Sequence, residues 1–305
     1  MEKLLECKNI TKKFGGKTAL DDFSVSLYDE EIYGLVGPNG AGKSTFLKIL
    51  AGYTNASTGT LELFSEESNL YRVRRNMGFL IENPAFYTYM TGKNNLKYQC
   101  ELKGINYNDD IINLTKEFKI FDALEKKIKS YSIGMKQRLG LVAATMNKPK
   151  ILILDEPING LDPEGIVELR NFLLRINREW KTTIIISSHI LNELSLIATR
   201  IGFIKNGKII EESTIEELKE KSISYMALKF DEESINKAVA ILETELNISN
   251  YKVKNNGLIE IYKNIEINEV LRKLSSNNIY PIAFENKTNS LEDYYIELMG
   301  GKINE

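Results

Sequence analysis

Gly37-Pro38-Asn39-Gly40-Ala41-Gly42-Lys43-Ser44-Thr45 fits G-x-x-x-x-G-K-[ST], a pattern built to hold phosphate. Glycines let backbone N–H groups turn inward and approach phosphate oxygens with no Cβ in the way. Lys43 offers a point charge for β and γ phosphates. Ser44 offers a hydroxyl to Mg²⁺. A helix starting near Thr45 would aim its positive N-terminus at the anion.

Farther along, four apolar residues, Ile151-Leu152-Ile153-Leu154, run into two carboxylates, Asp155 and Glu156. A buried central strand would deliver both acids to its C-terminal edge, beside the phosphate loop. Asp155 suits Mg²⁺, directly or through water. Glu156 suits a general base that polarises a water attacking the γ-phosphate. Alone, such a run reads equally as a strand ending in a solvated acidic turn. The upstream loop favours chemistry.

The elements that must position these groups alternate. Leu4–Ile10, Ile32–Val36, Ile151–Leu154, Thr183–Ser187 and Ile201–Lys205 read as strands, and Thr45–Ala51, Glu164–Asn177 and Ile190–Thr199 as helices. The pattern predicts an α/β domain with a largely parallel sheet over residues 1–220. Residues 88–146 read as an inserted helical lobe. Composition shifts near Lys221. Residues 221–305 read as a small α+β domain of split βαβ type: strand Tyr225–Phe230, helix Glu233–Leu246, strands Tyr251–Lys254 and Leu258–Tyr262, helix Asn268–Ser275, strand Tyr280–Phe284, helix Leu291–Leu298.

Three further segments complete an ordered set. They are Tyr131-Ser132-Ile133-Gly134-Met135-Lys136-Gln137-Arg138-Leu139, Asn159-Gly160-Leu161-Asp162-Pro163 and Ser187-Ser188-His189, which holds the only histidine. With the phosphate loop and acidic strand they resemble the ATP-binding subunit of an ABC transporter, over about residues 2–220. The resemblance implies a P-loop NTPase fold, ATP and Mg²⁺ as ligands, and a signature segment, D-loop and switch histidine in these three places. Phe14 takes the place of the aromatic that stacks on adenine.

Two departures stand out. The family signature usually reads Leu-Ser-Gly-Gly-Gln, whereas here Ile133 and Met135 replace the first glycine and the glutamine. Ser132 and Gly134 remain. In Gly78-Phe79-Leu80-Ile81-Glu82-Asn83-Pro84, Glu82 stands where most members carry glutamine near Mg²⁺ and the attacking water. The alternative reading of Glu82 is a neutral exposed substitution. With the ending Leu291-Glu292-Asp293-Tyr294-Tyr295, these segments resemble the exporters of bacitracin resistance and lantibiotic self-immunity, and Glu82 leans to the lantibiotic side. The last residues read as packing for the final helix.

The resemblance implies a head-to-tail pair in which each ATP is sandwiched. Phe14, Gly37, Pro38, Asn39, Gly40, Ala41, Gly42, Lys43, Ser44 and Thr45 would bind nucleotide. Ser44, Asp155 and Glu82 would hold Mg²⁺. Glu156, His189 and Glu82 would serve catalysis. Ser132, Gly134 and Asp162 would act across the dimer. A membrane-embedded permease on a separate chain would dock near Tyr71–Arg75, Phe86–Met90 and Leu96–Leu102. A lone histidine after an apolar strand is otherwise often structural.

Composition narrows the rest. Apolar residues are 43% and charged residues 27%, which excludes disordered and disulfide-scaffold classes. Net charge is −2, without the basic excess of a nucleic-acid binder. Cys7 and Cys100 lack metal-ligand spacing and read as ordinary thiols of a reducing compartment. No run approaches the ~20 apolar residues of a spanning helix, and Met1–Glu6 carries no signal-peptide core. The expectation is a cytoplasmic protein, peripheral on the cytoplasmic membrane face. The competing readings are a weakly hydrolysing nucleotide sensor and a ribosome- or DNA-associated ABC ATPase.

Overall fold

The computed structural model describes residues 2–300 apart from 69, 83, 222–223, 232, 255, 263–264 and 289–290. The chain divides into two compact units, Met1–Ile215 and Glu216–Glu305.

The first unit is built around a six-stranded sheet. Its order is Met77–Leu80, Ile151–Asp155, Thr183–Ser188, Ile32–Val36, Arg200–Lys205, Lys208–Thr214. Five strands are parallel and the last turns back antiparallel at the edge. Ile32–Val36, Ile151–Asp155 and Thr183–Ser188 are buried throughout, which explains their near-continuous apolar sequences. Register sets their C-terminal ends side by side: Val36 pairs with Ser188, and Asp155 with Ser187. Everything that follows these strand ends therefore converges on one rim.

A second, antiparallel sheet was not expected. Lys17–Tyr28 pairs with Lys3–Phe14, which pairs with Thr58–Leu63. The helix Lys43–Ala51 packs between the two sheets. Phe46 meets Phe23 at a ring-centroid distance of 4.5 Å, within a core that also holds Leu5, Leu47, Leu50, Ile153 and Ile185. The phosphate-loop helix is thus clamped from both sides.

The inserted lobe carries helices Gly92–Lys103, Asp109–Glu117 and Ile133–Thr145. Each starts at a side-chain cap: Thr91 accepts from the Asn94 N–H, Asn108 from that of Ile111, and Ser132 from that of Met135. The expected helix 190–199 is shorter, covering only Leu191–Ser195. Leu194 and Ile197 are buried, and Thr199 then bonds the Ile32 carbonyl, which draws the chain into the next strand.

In the second unit, Tyr251–Val253, Leu258–Ile261, Ser224–Lys229 and Ala283–Thr288 form an antiparallel sheet in that order. Helices Ile235–Thr244 and Ile267–Ser276 pack on it through Leu242, Val270 and Leu274 against Leu228, Ile259 and Ile261. This is the split βαβ order read from the sequence. The last strand starts later than expected, because Pro281 has no N–H to donate and Ile282 makes the first bond, to the Lys229 carbonyl. The final helix is Leu291–Leu298.

Candidate functional site

The strand Ile32–Val36 ends at Gly37, and the helix starts at Lys43. Gly42 is the pivot. Its φ is 116°, and a Cβ there would sit 2.7 Å from the Ala19 carbonyl oxygen. No side chain caps this helix, so the N–H groups of its first turn have no acceptor within the helix. The Lys43 ammonium curls back over the loop, donating to the carbonyls of Gly37 at 2.6 Å and Pro38 at 3.3 Å.

Asp155 and Glu156 leave the neighbouring strand on the same rim. Asp155 is buried and accepts the Ser187 hydroxyl at 2.6 Å. The Glu156 N–H donates to the same Ser187 oxygen at 3.0 Å. One serine therefore fixes both acids. The Glu156 carboxylate bridges two partners: Oε1 lies 3.3 Å from Lys43 Nζ, and Oε2 lies 2.8 Å from His189 Nδ1. Glu156 has φ 48° and precedes Pro157, a backbone state disfavoured for a residue with a Cβ.

Lys43, Glu156 and His189 line a cleft of about 380 Å³, whereas Gly37, Pro38, Ala41 and Asp155, also expected at the nucleotide, are not in its lining. Its walls include Phe14, Asn39, Gly40, Gly42, Lys43, Ser44, Thr45, Glu156 and His189, all expected, and Lys17, Ala19 and the D-loop residue Asn159, none of which was read as a nucleotide contact. The Lys12 ammonium lies 4.8 Å from the Phe14 ring centroid, and the ring is 53% exposed, open to a stacking partner.

The donor set fits a hard divalent cation shared with phosphate. Ser44 and Asp155 offer only oxygen ligands. Among the described residues no three His, Cys, Asp or Glu side chains group closely enough to hold a metal alone. Glu82 sits apart from the cleft lining. It has φ 56° and is largely exposed, and its carboxylate pairs with Lys48 Nζ at 2.5 Å, on the phosphate-loop helix.

Ser132, Gly134 and Asp162 do not line the cleft. They border a separate shallow depression with Ile133, Met135, Arg138, Gly160 and Leu161. A Cβ on Gly134 would lie 2.6 Å from the Gly160 carbonyl oxygen, so the helix start is pressed onto the D-loop. Arg138 ties the same two segments, reaching Asp162 at 3.1 Å and Glu168 at 2.9 Å. Gln137, a member of the signature segment given no role in the sequence reading, is buried and donates to the Pro157 carbonyl at 2.9 Å. Cys7 and Cys100 are buried free thiols, and burial raises both above the ordinary thiol range.

Residues 20–159 match the ABC transporter family. The bacitracin transport ATP-binding protein BcrA of Bacillus licheniformis is 34% identical over 304 residues, 99% of this chain and 99% of its own length. The chain belongs to the family of ABC transporter ATP-binding proteins. The lantibiotic transport ATP-binding protein SrtF of Streptococcus pyogenes is 40% identical over 209 residues, 68% of this chain and 90% of its own. A solved ATP-binding subunit of an ABC transporter aligns with TM-score 0.64 and 26% identity, over 72% of this chain and 92% of that one. The chain accordingly carries an ABC ATPase domain, which binds and hydrolyses ATP.

Proposed function

We propose that this subunit powers export of a peptide antibiotic of the bacitracin or lantibiotic type, giving resistance or self-protection. The similarity to the bacitracin transport protein extends through Glu216–Glu305, so the second unit is shared as well. Residues 1–220 form the ATPase domain and 221–305 an accessory domain.

The observation that carries the chemistry is the Lys43–Glu156–His189 chain at the rim. Glu156 takes the proton of the attacking water. His189 holds the Glu156 carboxylate and helps orient that water. Lys43 and the uncapped helix start bind the phosphates. Phe14 stacks on adenine. Ser44 and Asp155 would hold Mg²⁺, which would neutralise phosphate charge, and Glu82 would join them only by leaving Lys48.

The cleft and the signature depression share no lining residue. That supports a head-to-tail pair, in which Ser132 and Gly134 of one copy close on ATP held by the other, with Asp162 at the contact. Tyr71, Tyr89 and Leu102 are exposed on or beside the helical lobe and suit docking to a membrane permease. No helix among the described residues is long and apolar enough to cross a membrane. That permease would hold the protein at the cytoplasmic face of the membrane. Co-expression with the candidate permease should raise the tolerated peptide concentration, and Glu156→Gln should abolish the gain. Unchanged tolerance with the wild-type pair rejects the substrate class.

A further inference from the structure

Glu156 must aim its carboxylate from a strained backbone, and the strain has to be held from both sides. On the strand side, the Glu156 N–H is bonded to Ser187 Oγ and to the Ser187 carbonyl, at 3.0 and 3.2 Å. On the loop side, the Asn159 N–H closes a turn on the Glu156 carbonyl at 3.1 Å. The next carbonyl, that of Pro157, is buried and takes its bond from a side chain distant in sequence, Gln137. A buried amide–carbonyl bond of this kind is costly to lose, because the acceptor is left without water.

Gln137 sits in the second turn of the helix Ile133–Thr145, which Ser132 caps and whose first turn carries Gly134. The same helix is pressed on Gly160 and tied to Asp162. The segment from Glu156 to Asp162 is therefore stitched along its length to the signature helix, and Gln137 is the stitch nearest the base.

We propose that Gln137 is a positioning residue for hydrolysis: by fixing the Pro157 carbonyl, it holds Glu156 in its left-handed, pre-proline conformation and ties the aim of the base to the seat of the signature helix. The proposal rests on reading Glu156 as the base.

The test is steady-state ATP hydrolysis by the full chain. Gln137→Met keeps length and removes the donor. Gln137→Asn keeps the amide but withdraws it by one methylene, and serves if the first variant fails to fold. Each is made alone and with Glu156→Gln. We expect kcat to fall about tenfold or more, since small misplacements of a reacting group cost this much. KM for ATP and the melting temperature should stay near wild type. In the Glu156→Gln background the residual rate should not fall further, because the group being positioned is gone. A kcat within twofold of wild type overturns the proposal. So does a matched loss of kcat, ATP affinity and melting temperature, or an equal further loss with Glu156→Gln, since either marks a purely structural role. If Glu156→Gln alone keeps wild-type turnover, the base assignment itself fails, whatever Gln137 does.

Discussion

Lys43 Nζ lies 3.3 Å from Glu156 Oε1, so the cation we propose for phosphate and the carboxylate we propose for water hold each other. The pair is largely buried, where such contacts weigh more than at the surface. Phosphate must compete with Glu156 for Lys43. Glu156→Gln should therefore lower ATP turnover at least ~100-fold while tightening ATP binding a few-fold, since removing a base and a competing charge act in opposite directions. A turnover assay with equilibrium nucleotide titration checks both.

His189 is anchored only through Glu156 among its described partners, at 2.8 Å. His189→Ala should lower hydrolysis more than tenfold and leave ATP affinity near wild type, the pattern of an interaction made mainly in the transition state. Near wild-type turnover would remove its catalytic role.

The Glu82–Lys48 pair is solvent-exposed, and pairs of that kind contribute about 0–1 kcal/mol. Glu82→Gln should leave the melting temperature unchanged within about 2 °C. If Glu82 serves the metal, the Mg²⁺ concentration for half-maximal turnover shifts at least threefold. Unchanged Mg²⁺ dependence and unchanged peptide resistance would make it a neutral surface residue.

Gly134→Ala puts a methyl 2.6 Å from the Gly160 backbone oxygen, where nothing flexible can yield. We expect the signature helix to lift off the D-loop. ATP binding to the single chain should persist, while ATP-driven dimerisation of the Glu156→Gln form should disappear on size-exclusion chromatography.

Lys103 is a sparsely hydrated cation in the helical lobe. It donates to Asn147 Oδ1 at 3.0 Å and to the Ala143 carbonyl, and burial lowers its pKa to about 8. The unfolded chain, with the ordinary value of 10.5, binds that proton more tightly. Wild-type stability should consequently rise as pH climbs from about 8 to 10.5, the window in which only the unfolded state stays charged. Lys103→Met should raise the melting temperature by about 2 °C at pH 7. The gain should vanish toward pH 10.5, as a thermal melt series would show.

The contiguous parts of the site were legible in sequence. Gly37–Thr45 and Ile151–Glu156 are local backbone devices whose residue types state their geometry. The three-stranded antiparallel sheet was not. In Lys17–Tyr28, the alternation of buried Phe23, Val25 and Leu27 is interrupted upstream by Asp21 and Asp22. Asp22 has φ 54°, and the pairing register slips between Ile10 and Lys12. A bulge hides the period that reveals a strand. Gln137–Pro157 and Lys48–Glu82 join residues 20 and 34 positions apart, in segments whose contact no sequence pattern states. Only packing brings such pairs together, so neither the partner of Gln137 nor the fate of the Glu82 carboxylate was legible in advance.

The separation of the phosphate-loop cleft from the signature depression has a genetic consequence. In a head-to-tail pair, a chain damaged at Lys43 and a chain damaged at Ser132 bring both lesions to one ATP site. They leave the other site intact. Two alleles that are each dead alone should thus complement partially when expressed together, whereas two alleles damaged in the same concavity should not.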